Sequence, residues 1–337
     1  MDKHMDKYIL ITGGAGYIGS HVVKLFGECG KKIVVLDNLS TGVKKNILFG
    51  DLVVGDVGCE DDLNKIFSKY DVGAVIHFAG SISVPESVEN PLKYYHNNTV
   101  NSHTLIKKCI DLKINNFIFS STAATYGLGE GKPLDEDDLQ KPINPYGHSK
   151  LMIERILKDT ACAHKNFKYI ALRYFNVAGA DPEGKIGQST PDATHLIKIA
   201  SQVALGKRSE LSIFGDDYNT PDGTCVRDYI HVMDLAQAHL DALNYLIREK
   251  TSNYMNCGYS KGFSVKEVIS EMKKTLKIDF PIKMAPRRDG DPDILISKCE
   301  KIKKLTGWKP KYNDLSLMIK TAYDWEKKLE IESGNLC

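Results

Sequence analysis

Thr12-Gly13-Gly14-Ala15-Gly16-Tyr17-Ile18-Gly19 stands between an apolar run, residues 8–11, and a stretch of helical period, residues 16–29. Glycines at 13, 16 and 19, leaving a strand and opening a helix, have separate uses. Gly13 permits a tight turn, Gly16 lets a pyrophosphate approach the backbone, and Gly19 allows the helix to pack close on the sheet, with Tyr17 and Ile18 among the contacts. Glycines also mark ordinary turns, so the triplet takes its meaning from the residues downstream of it. The next apolar run ends at Asp37, ~20 residues beyond the glycines. A carboxylate there, with its neighbour Asn38, suits the adenosine ribose hydroxyls and repels a 2′-phosphate, which points to NAD and away from NADP. Two further strand ends fit the same groove: Asp56-Val57 at the adenine edge, and Phe78-Ala79-Gly80 beside the pyrophosphate or nicotinamide ribose.

Outward from this loop, apolar runs at 8–12, 32–37, 52–55, 74–79, 116–121 and 168–175 alternate with helical stretches at 16–29, 61–70, 91–112 and 145–163. That rhythm predicts repeated βαβ units with right-handed crossovers, hence an α/β, doubly wound parallel sheet of Rossmann type. Beyond residue 178 the pattern loosens into Gly/Pro/Asp-rich loops at 179–192 and 215–223, with amphipathic stretches at 232–248, 264–276 and 314–328. We read a smaller mixed α/β C-terminal substrate domain: 1–177 dinucleotide-binding and 178–337 substrate-binding, with segments free to exchange between them. A cleft at the carboxyl edge of the sheet is the expected ligand site.

Composition narrows the class further. Charge is spread along the chain and sums to +2, which provides no field for a nucleic-acid backbone or an anionic membrane. The apolar run 8–11 is too short for a signal-peptide core or a membrane span, so the expected location is cytoplasmic. Eight cysteines are scattered without metal-finger spacing; they read as reduced packing residues, with no metal site.

Tyr146 and Lys150 lie four apart at the start of a helical stretch, so both side chains share one face. An ammonium beside a phenol, together with an oxidised nicotinamide, lowers the phenol pKa and makes tyrosine a usable general base. Isolated, such a pair is more often a packing tyrosine and a solvated lysine; here it stands downstream of a complete dinucleotide loop. Upstream, the run 116–121 leads into Thr122, whose hydroxyl can bond the substrate oxygen and relay its proton to Tyr146.

With these motifs in chain order the sequence resembles the extended short-chain dehydrogenase/reductase superfamily. Further segments narrow the likeness to the UDP-glucose/UDP-galactose 4-epimerase family: His77-Phe78-Ala79-Gly80, Arg173-Tyr174-Phe175-Asn176, Phe214-Gly215-Asp216-Asp217-Tyr218 and Val226-Arg227-Asp228-Tyr229-Ile230-His231-Val232. The resemblance implies tightly bound NAD and UDP-glucose and UDP-galactose as substrates. Tyr146 as phenolate would take the 4-hydroxyl proton while the C4 hydride passes to NAD, giving a 4-keto sugar that turns over and is reduced from its other face. By the same likeness, Asn97 and Phe175 flank the nicotinamide and Asn176 meets the diphosphate. His195, Leu196, Ser212, Phe214, Arg227, Arg288 and Asp291 line the UDP-sugar pocket, the two arginines opposing phosphate charge. An Arg288–Asp291 surface ion pair is the plainer alternative for those two residues.

Departures from the family pattern carry information. His195 stands where some relatives have Asn, and Ile82 where well-known bacterial members have a lysine near the cofactor. Leu295 falls at the size-gating position, which leaves turnover of UDP-GlcNAc and UDP-GalNAc open. Ala123 and Ala124 replace the acidic residues that a dehydratase carries after the strand-end threonine, so C5 proton abstraction lacks a base. The resemblance also implies a homodimer joined through helices around 94–112 and 149–163. A UDP-glucuronate or UDP-pentose epimerase, or a non-catalytic NAD-binding sensor, is the competing reading.

Overall fold

Six runs rich in branched aliphatic residues form strands β1 (Tyr8–Thr12), β2 (Ile33–Asp37), β3 (Asp51–Val54), β4 (Val72–His77), β5 (Asn116–Thr122) and β6 (Lys168–Tyr174). This computed structural model describes residues 7–129, 131–190, 194–288 and 290–334. The strands pair in parallel, and Asn253–Cys257 adds a seventh beside β6, in the order Asn253–Cys257, β6, β5, β4, β1, β2, β3. From β1 the chain runs outward through β2 and β3, then returns to lay β4 on the other side of β1. The strand order reverses there, and a doubly wound sheet opens its ligand crevice beyond the carboxyl ends of the strands at that point.

Side-chain alternation divides the sheet into two apolar layers. Ile118, Ile170 and Leu172 face the helices Tyr17–Glu28 and Val232–Glu249, whereas Phe117, Phe119 and Ala171 face Glu60–Lys69, Asn101–Asp111 and Pro145–Ala163. Cover on both sides explains why β2, Ile-Val-Val-Leu-Asp, is buried throughout.

Segments from beyond residue 177 also build the larger layer. Strand Asn253–Cys257 and helix Val232–Glu249, both beyond it, complete the large sheet and its cover. The remainder is a smaller mixed layer. Val226–His231 runs parallel to Asn176–Ala178 and Ile294–Leu295 and antiparallel to Gly262–Ser264, while Leu211–Phe214 pairs with Ile282–Ala285.

The stretch 91–112 departs from the single helix its period predicts. Two α-helical pieces, Pro91–Tyr94 and Asn101–Asp111, flank a π-helical turn, Tyr95–Val100. The wider turn carries Asn97 and Asn98 to the loop after β4. Asn98 Nδ2 donates to the Ser81 carbonyl and the Ser149 hydroxyl, both at 3.0 Å, and Asn98 Oδ1 accepts from the Ser81 amide at 2.7 Å. Such turns commonly mark functional positions. Strand β4 also stops at His77, so Phe78-Ala79-Gly80 leaves the sheet as a loop. Among the described residues, no helix is long and apolar enough to cross a membrane, no residue group could hold a metal ion, and the cysteines carry free thiols.

Candidate active site

The glycine loop is built around close backbone approaches. Gly13 has φ +69°, and a Cβ there would lie 2.6 Å from the Ala79 amide nitrogen. A Cβ at Gly19 would stand 2.3 Å from the Gly13 carbonyl oxygen, so only glycine lets the helix start so near the strand end. Gly19→Ala is therefore expected to push the loop open, with loss of bound cofactor measured as nucleotide content after purification. Gly16 is the N-cap, and no side chain accepts from the first turn, which leaves amides such as those of Tyr17 and Ile18 for an anion.

Asp37, buried at the end of β2, accepts from the amides of Ala15 and Leu39, each at 2.8 Å. It closes the loop and keeps lone pairs for ribose hydroxyls. Asn38 Nδ2 donates to Asp56 at 2.8 Å, so the ends of β2 and β3 form one rim, with Val57 buried behind it. Phe78 turns its ring inward, 4.8 Å from that of His239, so only the backbone of Phe78-Ala79-Gly80 is offered to the groove. Beneath the loop, His77 is buried between the Thr12 and Ser102 hydroxyls, each at 2.7 Å. Open backbone, a free helix start and a carboxylate at the second strand end fit a dinucleotide.

Helix Pro145–Ala163 begins where its caps dictate: Asn144 accepts the Gly147 amide at 2.9 Å and Pro145 holds the first turn. Its first turns bring Tyr146 under the end of β5, beside the Thr122 hydroxyl. Lys150 Nζ donates to the Ser120 carbonyl at 3.1 Å and lies near Gly80. The electrostatics differ from expectation. Burial holds the Tyr146 phenol above its ordinary value, the neighbouring Thr122 hydroxyl pulls it partly back, and Lys150 is directed at a carbonyl. Burial also pulls the Lys150 ammonium down to about 8. The sequence reveals the neighbours of a phenol but not its desolvation. Asn97 Nδ2 is held on the Ser81 hydroxyl at 2.9 Å, and Phe175 is buried beside the strand end.

Most of the substrate candidates lie in the smaller layer, and one of them reaches the turn after β5. Leu295, opposite Arg227 in register, packs with Ala123, Tyr126, Leu134 and Phe175, against the turn after Thr122. Asn176, next to Phe175, pairs with Tyr229. Ser212 and Phe214, two apart on one strand, share a face. The Arg288 guanidinium lies over the Phe214 ring, 3.7 Å from its centroid. Asp291 pairs with Arg227 at 2.5 Å, not with Arg288, so the Arg288–Asp291 surface pair does not form. Arg227 also donates to the Val226 carbonyl at 2.8 Å and is already neutralised by Asp291; Arg288, exposed, is the freer of the two cations. His195 bonds Gln188 at 2.9 Å and, through burial, is pulled down to about 4, so it is a neutral group. With Tyr17, Gly179, Lys198 and Trp325 it lines one small pocket, joining the glycine-loop helix to the second layer, while Leu196 packs into the core. Ile82 is 60% exposed and replaces no buried contact.

The motifs read from the sequence leave out Glu154, buried one helical step beyond Lys150, and give no role to its partner Arg173 on β6; continuing the four-residue spacing from Tyr146 would have reached Glu154.

Fold and site together define a nucleotide-binding enzyme. The chain belongs to the NAD dependent epimerase/dehydratase family, whose pattern matches residues 9–258. It is 50% identical to a UDP-glucose 4-epimerase from Azospirillum brasilense over 97% of this chain and 94% of that one. Among solved structures it resembles the UDP-Glc/GlcNAc 4-epimerase from Campylobacter jejuni, with 52% identity and a TM-score of 0.84 over 96% of this chain and 99% of that one. The UDP-glucose 4-epimerase from Brucella ovis, in complex with NAD, matches with 43% identity and a TM-score of 0.90 over 94% and 98% of the two chains.

Proposed function

We propose that this chain is an NAD-dependent UDP-glucose 4-epimerase that interconverts UDP-galactose and UDP-glucose in the cytoplasm through a transient 4-keto sugar. The observation that carries the reading is the Tyr146 phenol set beside the strand-end hydroxyl of Thr122, one helical step from Lys150, whose ammonium lies near Gly80 of the cofactor groove. NAD, when bound, supplies the acceptor and donor of the C4 hydrogen. The chain's own residues do the rest. Tyr146 takes the 4-hydroxyl proton and returns it, Thr122 holds the sugar oxygen near the phenol, and Lys150 lends positive charge. Arg227, Arg288, Asn176, Ser212 and Phe214 anchor the UDP end, so that the sugar can turn while its handle stays fixed. Ala123 and Ala124 leave no carboxylate after Thr122, which disfavours a dehydratase. Incubation with each UDP-hexose tests the reading: both directions run to the same mixture, and a protein that loads NAD yet converts neither sugar contradicts it.

Leu295 walls the sugar end with a side chain smaller than tyrosine, so UDP-GlcNAc and UDP-GalNAc are also expected substrates. Leu295→Tyr should remove N-acetylhexosamine turnover by about 10-fold or more and spare UDP-galactose; equal loss of both would contradict the gate.

The functional unit in this proposal is a homodimer. Leu92, Val100, Leu112 and Met152 are 78%, 50%, 45% and 41% exposed on the packed segments 84–112 and 145–163. Apolar groups gathered there suit a self-complementary contact. Light scattering at micromolar concentration should give twice the chain mass; a monomer contradicts the assignment.

A further inference from the structure

Glu154 lies beyond Tyr146 and Lys150 at the same four-residue step on helix Pro145–Ala163, so the three side chains share one face. It is 1% exposed. Its carboxylate accepts the Ser121 hydroxyl at 2.5 Å, Gln140 Nε2 at 3.0 Å, and the Arg173 guanidinium through Nε at 3.0 Å and Nη2 at 2.7 Å. Arg173, 2% exposed, donates through Nη1 to the Tyr126 phenol at 2.9 Å and the Glu136 carbonyl at 3.0 Å, and lies by the rings of Tyr126 and Tyr254. A buried ion pair contributes little net stability compared with apolar residues of the same volume, so its presence calls for another reason.

The reason lies in the groups the pair holds. Ser121 immediately precedes Thr122, and Tyr126 closes the turn that Thr122 caps through the Ala124 amide at 3.1 Å. Thr122 is thus tied from both sides to the Glu154–Arg173 pair. Tyr146 rides on the same helix as Glu154, two steps earlier. We infer that Glu154 and Arg173 are positioning residues: the pair sets the distance between the Thr122 hydroxyl and the Tyr146 phenol, and so the ionisation of the phenol. Neither residue touches the cofactor loop or the UDP-end residues. The other titratable groups around the phenol are Lys150 on its own helix, Tyr94 edge-on at 6.4 Å and Tyr174 from β6. None of them bonds to the pair.

The kinetic side of this inference rests on the epimerase reading; the titration side does not. In NAD-loaded protein, Glu154→Gln should lower kcat for UDP-galactose by about 10- to 100-fold, the scale of a small misplacement. KM should move less than about twofold, because the UDP anchor is untouched. The acid limb of the kcat–pH profile should move to higher pH, and Ser121→Ala, which strands no buried charge, should shift it less in the same direction. Arg173→Lys, which keeps the charge but loses the fork, should fall between. Ultraviolet difference titration of each variant against its Tyr146→Phe partner reads the phenol without turnover. Folded, NAD-loaded variants with wild-type kcat and an unmoved phenol would overturn the inference. Should Glu154→Gln fail to fold, Ser121→Ala decides alone by the same readout. Wild-type protein inert toward every UDP-sugar, with the phenol shift intact, would sink the epimerase reading and leave the positioning role standing.

Discussion

Tyr146→Phe is expected to keep its NAD and lose about 10²- to 10⁴-fold in kcat, the usual worth of a positioned acid–base group. The substitution removes one oxygen and keeps the ring, so the edge-on contact with Tyr94 survives. Thr122 still caps the turn through the Ala124 amide at 3.1 Å, so the end of β5 keeps its shape. The cofactor cradle at Gly13, Gly16, Asp37 and Asn38 is built from other elements. Loss of turnover with full nucleotide content thus isolates the proton step. Because burial holds the phenol above its ordinary value, wild-type kcat should also rise with pH through the neutral range. A phenylalanine variant with a third or more of wild-type activity would remove Tyr146 from the chemistry.

The second large effect is acid lability. Burial pulls His21, His195 and His239 down to about 4 and His77 and His231 to about 3, from an ordinary value of 6.5. Between those values the unfolded chain binds protons that the folded chain excludes. Their contribution is therefore complete above pH 6.5 and lost as pH falls toward the folded values. At pH 5 each histidine costs about 2 kcal/mol, and five acting independently about 10 kcal/mol, comparable to the whole stability of a domain. Asp228 and Asp234, raised by burial, gain protons on folding and offset part of this at the acid end. Circular dichroism should show Tm falling on the order of 20 °C between pH 8 and pH 5. A flat Tm across that range would mean that these rings are hydrated or already charged.

Legibility tracks locality. The glycine loop, β1 and β2 are readable because the turn, the apolar run and the carboxylate lie within one βαβ unit. Helix Pro145–Ala163 takes the bounds its period predicts because Asn144 and Pro145 fix its start. The π-turn at Tyr95–Val100 is invisible, since its cause is the distant Ser81 loop and Ser149. Ile294–Leu295 is too short for any period, yet it delivers Leu295 to the turn after Thr122. Arg227 and Asp291 are each recognisable as site residues, but their partnership spans 64 positions and only the fold discloses it. The phenol shows the same limit in electrostatic form: Lys150 is visible four residues away, whereas desolvation by the surrounding layers is not.

The central claim is that hydrogen leaves C4 and comes back to the same carbon, with Tyr146 handling only the proton on oxygen. UDP-galactose deuterated at C4, converted by the purified protein in ordinary water, tests it directly by mass spectrometry and NMR of the UDP-glucose formed. The label should remain on C4 in full; product that has exchanged its deuterium for solvent hydrogen would contradict the claim.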